Sequence, residues 1–87
     1  MKSKTTPAFW RLFRGLDANT QKRARDAFTR WTTDPHHPSL RFKRVSRSRS
    51  IYAARIGLEY RAVGILAGDT VTWFWIGPHD EYDRLIG

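Results

Sequence analysis

The sequence contains no cysteine among its 87 residues, which excludes disulfide bonds and thiolate metal sites. It has no apolar run long enough to cross a bilayer. Its first ten residues, MKSKTTPAFW, also lack the apolar stretch of a secretion signal. These absences predict a cytoplasmic protein. The length predicts one domain, 1–87, with a single core, in which residues 1–5 form a flexible basic arm.

Acidic residues are scarce, at 8 against 16 lysines and arginines, which gives a net charge of +8. A field of this sign favours polyanions: nucleic acid, an acidic membrane surface or an acidic protein. The segment 41–61 has a single acidic residue, Glu59, and almost all of its basic residues are arginines, whose guanidinium suits phosphate. We therefore favour nucleic-acid contact over a merely solvated surface. The basic residues of this segment are Arg41, Lys43, Arg44, Arg47, Arg49, Arg55 and Arg61.

The segment 51–79 contains three runs of apolar, β-branched and aromatic residues, which predict three antiparallel strands. A turn at 57–59 separates the first two runs and would place Arg55 opposite Arg61. Like charges that face each other across strands destabilise a sheet by about 0.2–1 kcal/mol. The pair is thus better explained by function than by stability.

The second turn of this segment, at 68–69, sets the faces of the last two strands. A two-residue turn there would pair Trp73 with Gly64 and Trp75 with Ala62, so that large indoles oppose small residues. This register places both tryptophans on the face that packs against helices. The opposite face would carry Arg61, Val63, Ile65, Thr72, Phe74 and Ile76.

Two short amphipathic helices precede the strands. Thr6-Pro7 is a strong start for the first, and Gly15 marks its end. Asp17 or Asn19 can cap the second, which spans roughly 18–33 by its apolar spacing. The apolar residues at helical spacing are Phe9, Leu12, Phe13, Leu16, Ala24, Ala27, Phe28 and Trp31.

The stretch between the second helix and the three strands contains a loop and a further strand. Prolines at 34–38 end the helix, and the adjacent His36 and His37 have no carboxylate or third histidine at a spacing usable for metal binding, so no metal site is expected. Alternation over Leu40–Val45 predicts a half-buried strand, and SRSRS at 46–50 a basic loop. The whole pattern predicts an α+β fold, with an N-terminal helical hairpin packed on a small twisted antiparallel β-sheet.

Three residues offer the chemistry of RNA cleavage without a metal. That reaction needs a base for the 2′-hydroxyl, cationic donors for the pentavalent phosphate and an acid for the 5′-oxygen. Arg55 and Arg61 can be the donors, and His79, at the end of a strand, is of the residue type that most often serves as a general acid. Tyr82 can stack on a base or assist proton transfer; alternatively, it anchors the C-terminal turn.

The stretches PSLRFKRV, YAARIGLEYRAVGI and WFWIGPHDEYDRLI resemble the RelE/ParE superfamily of toxins from bacterial type II toxin–antitoxin systems. The most specific parts are residues 55–61 and 76–82. The resemblance implies a RelE-like fold, a cognate antitoxin as partner and no small-molecule cofactor. Many members are ribonucleases that cleave mRNA, commonly in the ribosomal decoding site, whereas others act on gyrase.

The resemblance also implies roles for individual residues. Arg55 and Arg61 match the pair that holds the scissile phosphate, His79 matches a C-terminal general acid, and Tyr82 the C-terminal tyrosine. Some relatives have a carboxylate as general base; this sequence offers Lys43 instead, as other relatives do. The surrounding arginines would bind RNA: Arg41, Arg44, Arg47 and Arg49.

Two functions from different classes follow from these observations. The first is a metal-independent endoribonuclease that cleaves mRNA, dependent on the ribosome. The second is a binder without turnover, either a gyrase-inhibiting toxin or an RNA-binding protein. The presence of His79 together with both Arg55 and Arg61 favours the first.

Overall fold

The predicted α+β class, with a helical hairpin packed on a small sheet, is confirmed. The computed structural model describes residues 1–87 and contains a five-stranded sheet in the order β1–β5–β4–β3–β2. None of its helices is long and apolar enough to cross a membrane. The strands are β1 Lys2–Thr5, β2 Lys43–Arg44, β3 Ile51–Ile56, β4 Tyr60–Ala67 and β5 Thr70–Pro78; the helices are α1 Pro7–Arg14, α2 Ala18–Thr33 and α3 His79–Ile86, with a short 3₁₀ helix at Pro38–Leu40.

The starts of the two N-terminal helices follow from their capping residues. The Thr6 side chain accepts a hydrogen bond from the Phe9 backbone N–H at 3.1 Å. Of the two candidate caps for α2, Asp17 is the one used: its carboxylate accepts from the Thr20 N–H at 2.8 Å. Each bond satisfies an N–H that has no partner within the helix.

The N-terminal residues form a strand, so the flexible arm predicted for residues 1–5 is wrong. β1 pairs with β5 in parallel, from Lys2 opposite Thr70 to Thr5 opposite Trp73, and the sheet is therefore mixed. The strand was not visible in the sequence because Lys2–Thr5 is a polar edge strand without apolar alternation. Its stability comes from backbone pairing with a strand 68 positions later, from Lys2 to Thr70.

A β-bulge in the β4–β5 hairpin changes the predicted faces. The pairing of Trp73 with Gly64 is confirmed, but the register shifts between Val63 and Gly64, so that Trp75 pairs with Val63 and not with Ala62. The extra residue in β5 inverts the alternation beyond it. Ile76 consequently packs in the core on the helix side, whereas Trp75 packs on the opposite face.

The core on the helix side is built from aromatic rings. Trp31 and Trp73 are almost fully buried and meet edge to face, with ring centroids 5.5 Å apart at 78°. Phe28 and Phe42 border both indoles. Such contacts add to the area that the rings bury, and they fix α2 against the centre of the sheet.

The opposite face is covered by α3, a helix that was not predicted from the sequence. Tyr82 of this helix is buried against Ala53 and Val63. Asp80 and Glu81 lie in its first turn, where negative charge favours the helix dipole. That acidic first turn directly after a Gly-Pro pair was the signal available for it.

The strand predicted for Leu40–Val45 is much shorter in the structure, where only Lys43–Arg44 pairs with β3. Leu40 ends the 3₁₀ helix and Arg41 adopts a left-handed backbone conformation, with φ of 43°. This conformation interrupts the extended backbone, because a residue in the left-handed region cannot form part of a strand. The alternating apolar residues that suggested a strand are explained by burial in the core, since Leu40 is buried.

Candidate active site

A cleft of about 330 Å³ lies between β2, the β3–β4 hairpin and α3. It brings together all five predicted catalytic residues and one of the predicted RNA-binding arginines. Asp83 and Ile86 of α3, which the sequence analysis did not single out, also line it. The predicted residues in the cleft are Arg41, Lys43, Arg55, Arg61, His79 and Tyr82.

Strand register explains why residues so far apart in sequence meet here. Arg55 lies directly opposite Arg61 across the β3–β4 turn, as predicted, and Arg61 lies opposite Gly77 on β5. The His79 backbone N–H then donates to the Glu59 carbonyl at 2.7 Å. This last bond ties the start of α3 to the β3–β4 turn, so the histidine is held beside the arginine pair.

The two guanidinium groups are held by backbone carbonyls of their own hairpin. Arg55 Nε donates to the Gly57 carbonyl at 3.1 Å, and Arg61 Nη1 donates to the Tyr60 carbonyl at 2.8 Å. Neither group has a carboxylate within ion-pair distance. Both are therefore oriented while their charge is left for an incoming anion.

Electrostatics at Arg61 reflect this crowding of positive charge. Partial burial lowers the pKa of Arg61, and the facing Arg55 and the nearby Arg41 lower it further, against the opposing effect of Tyr82 and Asp83. The causes show that the charged form is disfavoured by its surroundings. A phosphate that binds here would relieve this unfavourable interaction.

His79 is oriented by a carboxylate one helical turn later. Its Nδ1 lies 3.2 Å from Asp83 Oδ2, and its side chain is 48% exposed. Because Nδ1 faces Asp83, Nε2 is the ring nitrogen left for a ligand in the cleft. The spacing of four residues would have identified Asp83 had the helix been predicted.

Tyr82 both anchors α3 and lines the cleft. It is 7% exposed and packs against Ala53 and Val63, which agrees with the anchoring role. Burial raises the pKa of Tyr82, and Asp83 adds to this, whereas Arg61 opposes it. The phenol therefore stays neutral to higher pH and offers a hydroxyl rather than a charge.

A sequence comparison identifies the family. Residues 18–84, which include α2, strands β2–β5 and most of α3, match the ParE-like toxin domain. The chain belongs to the ParE-like toxin domain family. It is thus a toxin of the RelE/ParE type of toxin–antitoxin system. No curated protein matches the toxin in sequence.

Solved structures share the fold of this ParE-like toxin over nearly its whole length. A chain of the RelB–RelE antitoxin–toxin complex from Methanococcus jannaschii is 14% identical, with a TM-score of 0.75 and coverage of 97% of this chain and 99% of that one. The YoeB/ParE toxin from Agrobacterium tumefaciens is 18% identical (TM-score 0.70; 91% and 99% covered). YafQ from E. coli is 14% identical (TM-score 0.65; 99% and 98% covered).

Three of the predicted RNA-binding arginines of this toxin lie outside the cleft. Arg44 Nε donates to the Ser46 and Arg49 carbonyls at 2.9 and 3.0 Å, so it shapes the loop between β2 and β3. Arg47 lines a neighbouring groove next to α3, and Arg49 is exposed on the loop. Alternation along β2 explains the position of Arg44, since the adjacent residues Lys43 and Arg44 point to opposite faces.

The toxin has no group of three or more histidine, aspartate or glutamate side chains placed to hold a metal ion. His36 and His37 belong to the loop before β2, and His37 Nδ1 accepts from the Ser39 N–H at 3.1 Å. His37 therefore caps the 3₁₀ helix that carries Leu40 into the core.

Proposed function

We propose that this toxin is a metal-independent endoribonuclease that cleaves mRNA at the ribosome. In this proposal, a cognate antitoxin binds the toxin and keeps it inactive. The observation that carries the proposal is the single cleft on which Arg55, Arg61 and His79 converge. A strand pair with facing like charges is unfavourable for stability, and it is combined here with an oriented imidazole. A scissile phosphate is the ligand that uses both features.

The reaction assigned to the cleft is an in-line transesterification. The 2′-oxygen attacks the adjacent phosphorus, the bond from phosphorus to the 5′-oxygen breaks, and a 2′,3′-cyclic phosphate and a 5′-hydroxyl result. Arg55 and Arg61 stabilise the extra negative charge of the pentavalent phosphate. His79 Nε2 delivers a proton to the departing 5′-oxygen, while Asp83 holds the ring in place.

Lys43, with its amine in the uncharged form, is the candidate for the base that accepts the 2′-hydroxyl proton. It lies on β2, opposite Ala53 of β3, and lines the cleft. The only carboxylate in the cleft, Asp83, is already engaged by His79. Tyr82 borders the same space as a neutral phenol and would hydrogen-bond the substrate.

The test is cleavage of mRNA in a purified translation system by Arg61→Gln and His79→Ala. We expect each to lower the rate by on the order of 10²-fold or more, the usual loss for a charge stabiliser or general acid. His36→Ala and Arg14→Gln, which change exposed residues of the same types outside the cleft, are the matched controls. Both should cleave like the parent.

The ends of the RNA fragments test the mechanism separately from the rate. A 2′,3′-cyclic phosphate and a 5′-hydroxyl are expected, whereas attack by an activated water would leave a linear phosphate, on the 3′ end if the 5′-oxygen departs and on the 5′ end if the 3′-oxygen departs. Full cleavage by His79→Ala would remove the general acid from the scheme. Toxicity that survives in the triple variant of Arg55, Arg61 and His79 would favour the binder without turnover, on gyrase or on RNA.

The antitoxin is expected from charge and from the neighbours in structure. The free toxin carries a net charge of +8, and relatives of the same fold were solved as RelB–RelE complexes. We expect the adjacent reading frame to encode an acidic protein that co-purifies with the toxin and restores growth. Normal growth during expression of the toxin alone would contradict the proposal.

A further inference from the structure

A second basic cleft lies beside the candidate active site. It has a volume of about 410 Å³ and is formed by one face of α2, the 3₁₀ helix and the β3–β4 turn. Arg55 lines both clefts and so forms the boundary between them. An extended ligand that leaves the active site past Arg55 would enter this second cleft directly.

Two arginines of α2 contribute most of the charge of the second cleft. Arg23 and Arg30 are spaced seven residues apart, and so lie on the same face of the helix. The Arg23 stem lies along the turn, because a Cβ built on Gly57 would be 3.6 Å from Arg23 Cδ. Arg30 Nη1 donates to Ser39 Oγ at 3.3 Å, and both arginines are thus positioned.

These arginines lack an anionic partner. The one carboxylate of the second cleft, Asp26, forms an ion pair with Lys22 at 3.2 Å. Arg25, on another face of α2, lies over the Phe13 ring at 5.9 Å. Lys22 and Arg25 therefore face a carboxylate and an aromatic ring, whereas Arg23 and Arg30, which border the second cleft, have neither as a partner.

We propose that the second cleft binds the phosphodiester backbone of the RNA strand next to the scissile nucleotide. This inference rests on the proposed function. Arg23 and Arg30 would each hold a backbone phosphate, in a manner that is independent of base sequence. Arg55 would then act between the scissile phosphate and the adjoining one, so that the strand is held on one side of the point of cleavage.

The test measures RNA binding by the double variant Arg23→Gln/Arg30→Gln. The ligands are fluorescent oligouridylates that are fully 2′-O-methylated and therefore cannot be cleaved. We expect the variant to bind a dodecamer about tenfold more weakly than the parent does. The slope of log K against log[salt] should become less steep by about 1.4, because two phosphate contacts are lost. Binding of a dinucleotide, which fills only the active site, should be unchanged. Circular dichroism would verify that the variant is folded.

The matched control is Arg11→Gln/Arg14→Gln on α1, which removes the same charge away from both clefts. If this control weakens dodecamer binding as much as the α2 variant does, only the overall charge matters and the inference is wrong. Equal effects of Arg23→Gln/Arg30→Gln on dinucleotide and dodecamer would also overturn it. A length-dependent loss without any cleavage by the parent would support the RNA path while the proposed ribonuclease function fails.

Discussion

Gly64 offers a sharp test of the strand register on which the site depends. It lies opposite Trp73 at the β-bulge, and a Cβ built there would be 2.6 Å from Val71 Cγ1, 2.9 Å from the Thr72 carbonyl oxygen and 3.0 Å from Trp73 Cε3. The oxygen belongs to the paired backbone, and the other two atoms belong to fully buried side chains. None of them can move away without disturbing the core.

We expect Gly64→Ala to destabilise the protein by about 1–3 kcal/mol, the usual cost of overpacking a core. The loss is net of the conformational advantage of alanine, which is about 0.4–1 kcal/mol. A domain of this size has roughly 4–13 kcal/mol of stability in total. The melting temperature should therefore fall by on the order of 10 °C.

Gly15→Ala is the matched control for Gly64→Ala, because it makes the same change at the end of α1. Gly15 has φ of −79°, which alanine adopts freely, and the nearest atom to its built Cβ lies at 3.5 Å. This variant should be neutral or slightly stabilising. Urea unfolding followed by tryptophan fluorescence would compare the two.

Equal urea midpoints for Gly64→Ala and Gly15→Ala would refute the reasoning. They would mean that β4 and β5 can separate at the bulge at no cost. The same bulge determines which face Trp75 occupies and how β5 delivers His79 to the cleft. A tolerated alanine would thus weaken the register argument for the site as well as the packing argument.

Three further predictions concern the core and the cleft. Trp73→Ala should cost about 3–5 kcal/mol in the same urea assay, whereas Trp10→Ala, 41% exposed in the parent, should cost far less; similar losses would contradict the assigned core. The pKa of Tyr82 is raised in the folded state, so its contribution to stability is complete below its unfolded pKa, about 10, and is lost as the pH rises through the folded pKa. Tyr82→Phe should remove this loss of stability at alkaline pH. An unchanged pH dependence of stability in that variant would contradict the assigned role of Tyr82. Arg55→Gln relieves repulsion with Arg61 worth about 0.2–1 kcal/mol, so its stability relative to the parent should be most favourable at low salt, and a difference that ignores salt would reject that cause.

The arginine pair and the helix starts could be predicted because their signals are local. Glycines at 57 and 68 adopt positive φ, at 63° and 61°, so both turns were marked by residues that suit them. Once the first turn is fixed, the pairing of Arg55 with Arg61 follows from counting. Thr6 is likewise read directly, and Asp17 was one of two candidates, since a cap acts on an N–H three residues away.

The bulge and the elements at both ends depend on distant contacts and have no such signal. Residues 71–76 are apolar or aromatic at almost every position, so a shift of one residue leaves the hydrophobic pattern equally satisfied. The predicted and the observed registers both place Trp73 opposite Gly64, and they differ only beyond it, where Trp75 pairs with Val63. Strand β1 requires β5 to exist, and Asp83 could be assigned to His79 only once α3 was known.

The two faces of the sheet differ in their core residues and in their charged residues. The helix side holds the large aromatic core with Trp31 and Trp73, whereas the opposite side has a small cluster around Tyr82 and the unpaired arginines. The repulsion between Arg55 and Arg61 therefore acts on the face of the sheet that holds only a small part of the core. A polyanion that binds the folded toxin there, in preference to the unfolded chain, replaces repulsion with attraction and stabilises the fold through linkage. The complex, with RNA or with an acidic protein, should consequently be more stable than the free toxin.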